Sequence, residues 1–326
     1  MLNMTIKIDT KDRKIIRNLE FNARMPIPQL AKRVGISRQV AEYRLRRLKE
    51  NKVISFTASV FDQKVAGINI FRVILRLSKI TKEKREEFIN YVRINYPLMW
   101  LAKLGNGWDL IMNFMAKDSY EFDNMLMKIT DNYGEYINNY IILTYINIYD
   151  MSRSYILPGA IKQNEERYFF HEMGDRQIKL DEIDREIAKI LSLDCTVSDI
   201  AIGQKLGITG NTVKNRIKRM IDEKFLLGHR VLINPASIGY NLDIVFLEIN
   251  NLQSKTEKEL YTYLKSQPNI TFIVKHIGIF RIGFEIETKD AKELDTIISD
   301  LRNRFSHIIN NLEVFPVLEE FELKYI

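Results

Sequence analysis

The chain has 326 residues, 46% of them hydrophobic and 28% charged, with a net charge of +7. That length exceeds one ordinary core, and that balance excludes a disordered chain. No run nears the roughly 18 apolar residues of a membrane span, and the single cysteine, Cys195, excludes an intrachain disulfide framework or a cysteine zinc site.

The opening stretch, MLNMTIKIDTKDRK, holds no continuous apolar segment of signal-peptide length, so the expected location is cytoplasmic. Asp9 is placed to cap a first helix over residues 9–21, with Ile15, Ile16 and Leu19 facing inward. A short second helix follows over Ile27–Val34, with Pro28 in its first turn and Gly35 at its end. The third helix spans residues 37–52. Ser37 caps it, and Ala41, Leu45 and Leu48 form one apolar stripe. Residues 53–62 alternate enough for a short two-stranded wing. Beyond Gly67 the pattern reads as strand 68–77, helix 82–95, strands 99–104 and 108–116, helix 118–133 and strand 137–148. The order βαββαβ is the ferredoxin-like split motif.

The same order then returns at a nearly constant offset of 172 residues. ISRQVAEYRLRRLKENK at 36–52 recurs as ITGNTVKNRIKRMIDEK at 208–224, with Thr209 as cap and Val213, Ile217 and Met220 as the stripe. Asp9 and Asp12 match Asp181 and Asp184, Gly67 matches Gly239, and Ile137-Asn138-Asn139 matches Ile309-Asn310-Asn311. This period is far above that of solenoid repeats, so the chain is a duplicated two-domain unit. The expected domains are a winged helix-turn-helix at 1–62, a ferredoxin-like domain at 63–154, a linker at 155–178, a second winged helix-turn-helix at 179–234 and a second ferredoxin-like domain at 235–326. Tyr168-Phe169-Phe170 is too apolar for a free tether, so part of the linker should pack on a domain. The fold class is α+β.

A helix entered through a tight glycine turn after another short helix is what a helix-turn-helix sets in the DNA major groove. Residues 1–54 hold 14 Lys/Arg against 5 Asp/Glu, while 173–226 hold 10 against 9. A basic module on a near-neutral body points to a polyanion partner. Arg38, Gln39, Glu42 and Tyr43 lie in the first turns, where side chains reach base edges, and Arg44, Arg46 and Arg47 suit phosphates. In the second copy the base-facing set is Gly210, Asn211, Lys214 and Asn215, with Thr212 beside them. Its phosphate set is Arg216, Lys218 and Arg219. The two reading sets differ in nearly every member, which predicts a non-palindromic site if both engage one duplex.

With these residues in view, the sequence resembles the Lrp/AsnC (feast/famine) transcription regulators in a tandem form. The resemblance rests on Ile8-Asp9-x-x-Asp12-x-x-Ile15 and Leu180-Asp181-x-x-Asp184-x-x-Ile187. It rests also on Leu30-Ala31-x-x-Val34-Gly35-Ile36-Ser37 with Arg44-Leu45, and on Lys205-Leu206-Gly207-Ile208-Thr209 with Arg216-Ile217. It implies a DNA-binding transcriptional regulator, not an enzyme, working as a homodimer on double-stranded DNA, from a prokaryotic, archaeal source. It also implies an amino-acid effector at the ferredoxin-like (RAM) domains. The family pattern Gly-x-(Tyr/Phe)-Asp is approached by Gly105-Asn106-Gly107-Trp108-Asp109, which makes Asn106, Trp108 and Asp109 the effector candidates. The other reading of these residues is a β-turn with Trp108 packed into the sheet. The second copy, Gly278-Ile279-Phe280-Arg281, has Arg where Asp is expected.

Two other functions fit the same domain pairing. It resembles the sirohaem decarboxylases, and it would also serve an architectural protein that coats DNA without sequence preference. His171, His229, His276 and His307 form no spaced pair, and the sequence has no Gly-rich phosphate loop or metal-ligand cluster, so no cofactor is expected.

Overall fold

The computed structural model of the protein describes residues 5–158, 168–171, 177–250 and 252–325. Three helices come first, α1 (Thr10–Leu19), α2 (Ile27–Val34) and α3 (Arg38–Glu50). Asp9 caps α1, accepting from the Lys11 and Asp12 amides, and Asp12 bonds back to the Asp9 amide. Gly35 ends α2 at φ 71°, a left-handed geometry that a side chain disfavours. Ser37 caps α3 through the Val40 amide. The stripe expected on α3 is inward: Ala41 and Leu48 are buried and Leu45 is half-buried.

The βαββαβ half follows as β1 (Ile54–Phe61), β2 (Asn69–Leu77), α4 (Lys82–Asn95), β3 (Leu98–Leu104), β4 (Leu110–Ala116), α5 (Ser119–Tyr133) and β5 (Ile137–Met151), with β1 as a preceding strand. β4 starts two residues later than expected because Asn106 and Gly107 are left-handed, at φ 58° and 84°, and the turn takes that length. A short β6 (Tyr168–His171) pairs with the end of β5, so the apolar part of the expected linker is a strand. Residues 159–167 and 172–176 of that linker lie outside the described residues.

The second copy repeats the order: α6 (Glu182–Leu193), α7 (Asp199–Leu206), α8 (Gly210–Asp222), β7 (Leu226–Ile233), β8 (Asn241–Ile249), α9 (Ser254–Ser266), β9 (Ile270–Ile277), β10 (Ile282–Thr288), α10 (Ala291–Phe305) and β11 (Ile309–Leu323). Thr209 caps α8, and Gly207 ends α7 at φ 69°.

The two copies are not beads on a string. The hairpin wing expected at 53–62 is corrected: β1 is a single strand, and its antiparallel partner is β7 of the other copy. Ala58 stands opposite Arg230, its own equivalent 172 residues on, with Thr57 opposite Val231 and Ser59 opposite His229. The register is therefore symmetric about that pair, and a pseudo-twofold axis passes through it. The ferredoxin-like strands obey the same symmetry. β5 pairs with β9 and β11 with β3, so the ring β2-β4-β3-β11-β8-β10-β9-β5 closes back on β2. Closure removes the exposed edges that two separate sheets would leave. The sheets thus pair within one chain, and no second chain is needed to complete either of them.

Period-two alternation divides the barrel's side chains. Val73, Leu75, Met112 and Phe114 face outward to α4 and α5, and Val245, Leu247, Phe284 and Ile286 face α9 and α10. Ile74, Trp100, Ile111, Phe246, Phe280 and Phe315 fill the inside from both copies. The helical domains share cores as well. Cys195 and Val231 pack with Ile15, Leu30 and Leu48 of the first trio, and Phe61 and Val65 pack with Ile187 and Val213 of the second. Shared cores make the whole chain one cooperative unit. Calorimetry should record one unfolding transition; two resolved transitions, one per repeat, would contradict the shared cores.

Candidate nucleic-acid interface

Each third helix is held against its first helix by a pair of arginines. Arg44 Nη1 donates to Asp9 Oδ2 at 2.7 Å and to Asp12 Oδ1 at 2.9 Å, and Arg47 Nη2 donates to Asp12 Oδ2. The second copy reproduces this: Arg216 Nη1 donates to Asp181 at 2.7 Å and to Asp184 at 2.8 Å, and Arg219 Nη2 to Asp184. Asp12 and Asp184 are fully buried. Their negative charge is thus met twice, by the facing helix and by the N-terminal amides of their own helix. Lys11 Nζ adds two bonds, to the Val34 and Gly35 carbonyls at 3.1 Å, and so completes the end of α2.

This placement revises the expected phosphate set. Arg44, Arg47, Arg216 and Arg219 are turned onto these aspartates, because a guanidinium one helical turn from the next meets a carboxylate pair with the same spacing. Sequence reasoning read the aspartates only as caps. The signal lay in the match of Asp-x-x-Asp with Arg-x-x-Arg in both copies.

Arg38, Gln39, Tyr43 and Arg46 remain outward on α3. The side chains of Arg38 and Arg46 are each 69% exposed, and Tyr43 is 57% exposed. Arg38 Nε lies 2.8 Å from Glu42 one turn on, and Arg46 lies 3.9 Å from Glu50. Exposed pairs of this kind contribute little, so both arginines are free to exchange a carboxylate for a phosphate. On α8 Asn211, Lys214, Asn215 and Lys218 are exposed, as is Arg219 beside its aspartate, while Thr212 is half-buried, its hydroxyl 2.8 Å from that of Thr209. The structure brings each exposed set together on one helix face.

The expected effector residues are engaged by the fold itself. Asp109 Oδ2 accepts from the Leu77 amide at 2.8 Å, and its other oxygen is 3.4 Å from Arg85. Asn106 donates to the Val314 carbonyl, while Trp108 is buried against Phe315 with the Arg76 guanidinium over its ring. These contacts belong to a turn that packs an indole. In the second loop Arg281 donates to the His276 carbonyl at 3.2 Å, and a Cβ on Gly278 would collide with Leu143.

The architecture is that of paired helix-turn-helix domains on a closed α+β barrel. An AsnC-type helix-turn-helix domain matches twice, at residues 8–49 and 180–221. The chain thus carries the AsnC-type helix-turn-helix domain in duplicate. It is 27% identical over 145 residues to an uncharacterized HTH-type transcriptional regulator of Pyrococcus horikoshii, covering 44% of this chain and 94% of that one. It is 26% identical over 125 residues to the DNA-binding transcriptional activator DecR of Escherichia coli, covering 38% and 82%. Over its whole length it shares its fold with the siroheme decarboxylase NirDL. That likeness has a TM-score of 0.64 at 12% identity, over 96% of this chain and 93% of that one.

Two outcomes follow from the clamp. Asp12→Ala leaves Arg44 and Arg47 without their buried carboxylate and should cost about 3 kcal/mol in denaturant unfolding, at the low end for a broken buried pair because both arginines reach solvent. A loss below about 0.5 kcal/mol, the range of ordinary surface substitutions, would refute the clamp. Acid should act through the caps. The Asp12 amide and then Arg44 hold Asp9 down to about 2, and Asp181 is lowered likewise. A carboxylate held low in the fold stabilises above its ordinary pKa of about 3.8 and ceases to do so as pH falls from there towards 2. The denaturation midpoint should fall across that window, and fall less in the Asp9→Asn, Asp181→Asn double variant. Equal falls would remove these caps from the explanation.

Proposed function

We propose that the protein is a sequence-specific regulator of transcription that binds double-stranded DNA through both third helices of one chain. The observation that supports this reading most strongly is the symmetric β1–β7 register. It relates α3 to α8 by a pseudo-twofold within one polypeptide, as two identical chains are related in a dimeric reader. Arg38, Gln39 and Tyr43 supply base-edge contacts, and Arg46 supplies a phosphate contact. Asn211, Lys214 and Asn215 read the second half-site, with Lys218 on its backbone. The arginine clamps set the pitch of each helix and leave its outer face free. A homodimer of chains would bring four such helices together, but one chain already holds a pair.

The reading faces differ, so the half-sites differ. Duplexes selected from a random library should share a site whose two halves are unrelated by inversion. A clean palindrome would contradict one chain reading one site. Charge gives a second outcome. Arg46→Ala with Lys218→Ala removes the two exposed phosphate cations and should weaken binding to all sequences, lowering the slope of log affinity on log salt by about 2. An unchanged slope would exclude them from the phosphate contacts.

The full-length likeness to NirDL favours a second reading, an enzyme acting on a tetrapyrrole. The lining of the large cleft weighs against it. Among the described residues that lining carries eight carboxylates against two guanidiniums. Such a lining repels a polycarboxylated macrocycle.

A further inference from the structure

Between the barrel and the β1–β7 sheet lies an open cleft of about 940 Å³. Its polar end is built from strands of both copies. Asp150 of β5 pairs with Phe272 of β9, which pairs with Glu285 of β10, so the two carboxylates flank Phe272 on the barrel's inward face. Glu287, two residues on, is occupied: Arg153 grips it with bonds of 2.8 and 3.1 Å, and the Tyr155 hydroxyl donates to it. Glu285 accepts no hydrogen bond among the described residues. Its surroundings push it up to about 8, burial outweighing the pull of Arg72.

A second and independent feature lies at the same place. Four side chains that are more than nine-tenths buried line the cleft with polar atoms that have no partner among the described residues: Arg230 at Nε and Nη2, Asp150 at Oδ2, His171 at Nδ1 and Thr271 at Oγ1. Arg230 spends one nitrogen on the other oxygen of Asp150. Burial holds His171 down to about 4, so its ring is neutral, and Nδ1 donates in the tautomer that places the hydrogen there. Buried polar groups are rarely left unmet, and four together call for a polar occupant. The donors of Arg230, Thr271 and His171 suit a carboxylate. The free oxygen of Asp150 suits a cation, as does the acidic excess of the whole lining, and a cation set beside Glu285 would draw off the proton that burial makes it hold at neutral pH.

We infer that this cleft binds a small net-cationic zwitterion, a molecule with one carboxylate and two ammonium or guanidinium groups. Its carboxylate lies against Arg230, Thr271 and His171, and an ammonium lies between Asp150 and Glu285. Basic amino acids have this chemistry. A diamine satisfies only the acidic half, and an acidic amino acid meets the repulsion of the lining. The site does not depend on the reading of DNA, and its test contains none.

Titration calorimetry of the full chain with lysine, arginine, their decarboxylated counterparts cadaverine and agmatine, and glutamate is the test. Lysine or arginine should bind, the decarboxylated counterpart about tenfold or more weakly, since a charge-assisted carboxylate contact is lost. Glutamate should not bind. Glu285→Gln should weaken lysine or arginine about tenfold. Thr271→Val should weaken the amino acid while leaving the amine unchanged. Neither residue holds an ion pair in the structure, so both variants should keep the parental melting temperature. Equal affinity for amino acid and amine, binding of glutamate in place of the cations, or no binding of lysine or arginine at millimolar concentration would each overturn the inference.

Discussion

The antiparallel pairing of β1 with β7 is the constraint on which the molecule depends. Each strand follows its own helical trio, yet each bonds to the strand of the other copy. Ala58 faces Arg230 at the centre of the register, and the pairs on either side exchange equivalent positions. The cores are exchanged too, with Val231 beneath the first trio and Phe61 beneath the second. Neither helical domain is complete alone. The barrel repeats the logic in eight strands, where β5 with β9 and β11 with β3 are the same pairing seen from the two copies.

Duplication within one chain removes the requirement that the two halves be identical. What the copies share is what the fold needs: the aspartate caps, the glycine at the end of the second helix, and the arginine clamp, in which the Arg44 and Arg216 bonds agree to about 0.1 Å. On the third helices, what they do not share faces solvent. Arg38, Gln39 and Tyr43 stand where the second copy has Gly210, Asn211 and Asn215. The centre of the pseudo-twofold has diverged as well, since Arg230 occupies the place of Ala58 and carries a buried ion pair to Asp150 that has no counterpart in the first copy.

Local elements were readable because their causes are local. Pro28 and Gly35 bracket α2, and α4 occupies residues 82–95 as its apolar spacing indicates. The matching registers of the two copies carried the βαββαβ order. Partner choice was not readable. Alternation along residues 53–62 says which side chains turn inward, but not that the hydrogen-bonding partner lies about 170 residues away. The same blindness affected Arg44 and Arg47, whose exposure on a helical wheel hides a carboxylate pair on another helix. Asp109 was legible as a turn residue and illegible as a partner of Arg85. The cleft left no trace in the sequence, because Asp150 and Glu285 come from two barrel strands and Arg230 from β7 of the other sheet, and only the folded chain brings them together.

The central claim is that one polypeptide is a complete, two-helix reader of DNA. Native mass spectrometry of the protein with its minimal selected duplex, joined to footprinting of the same complex, addresses it most directly. The account predicts one chain per duplex and protection of two major-groove segments about one helical turn, roughly 10 base pairs, apart. Two chains on the minimal duplex, each protecting a single groove segment, would contradict it.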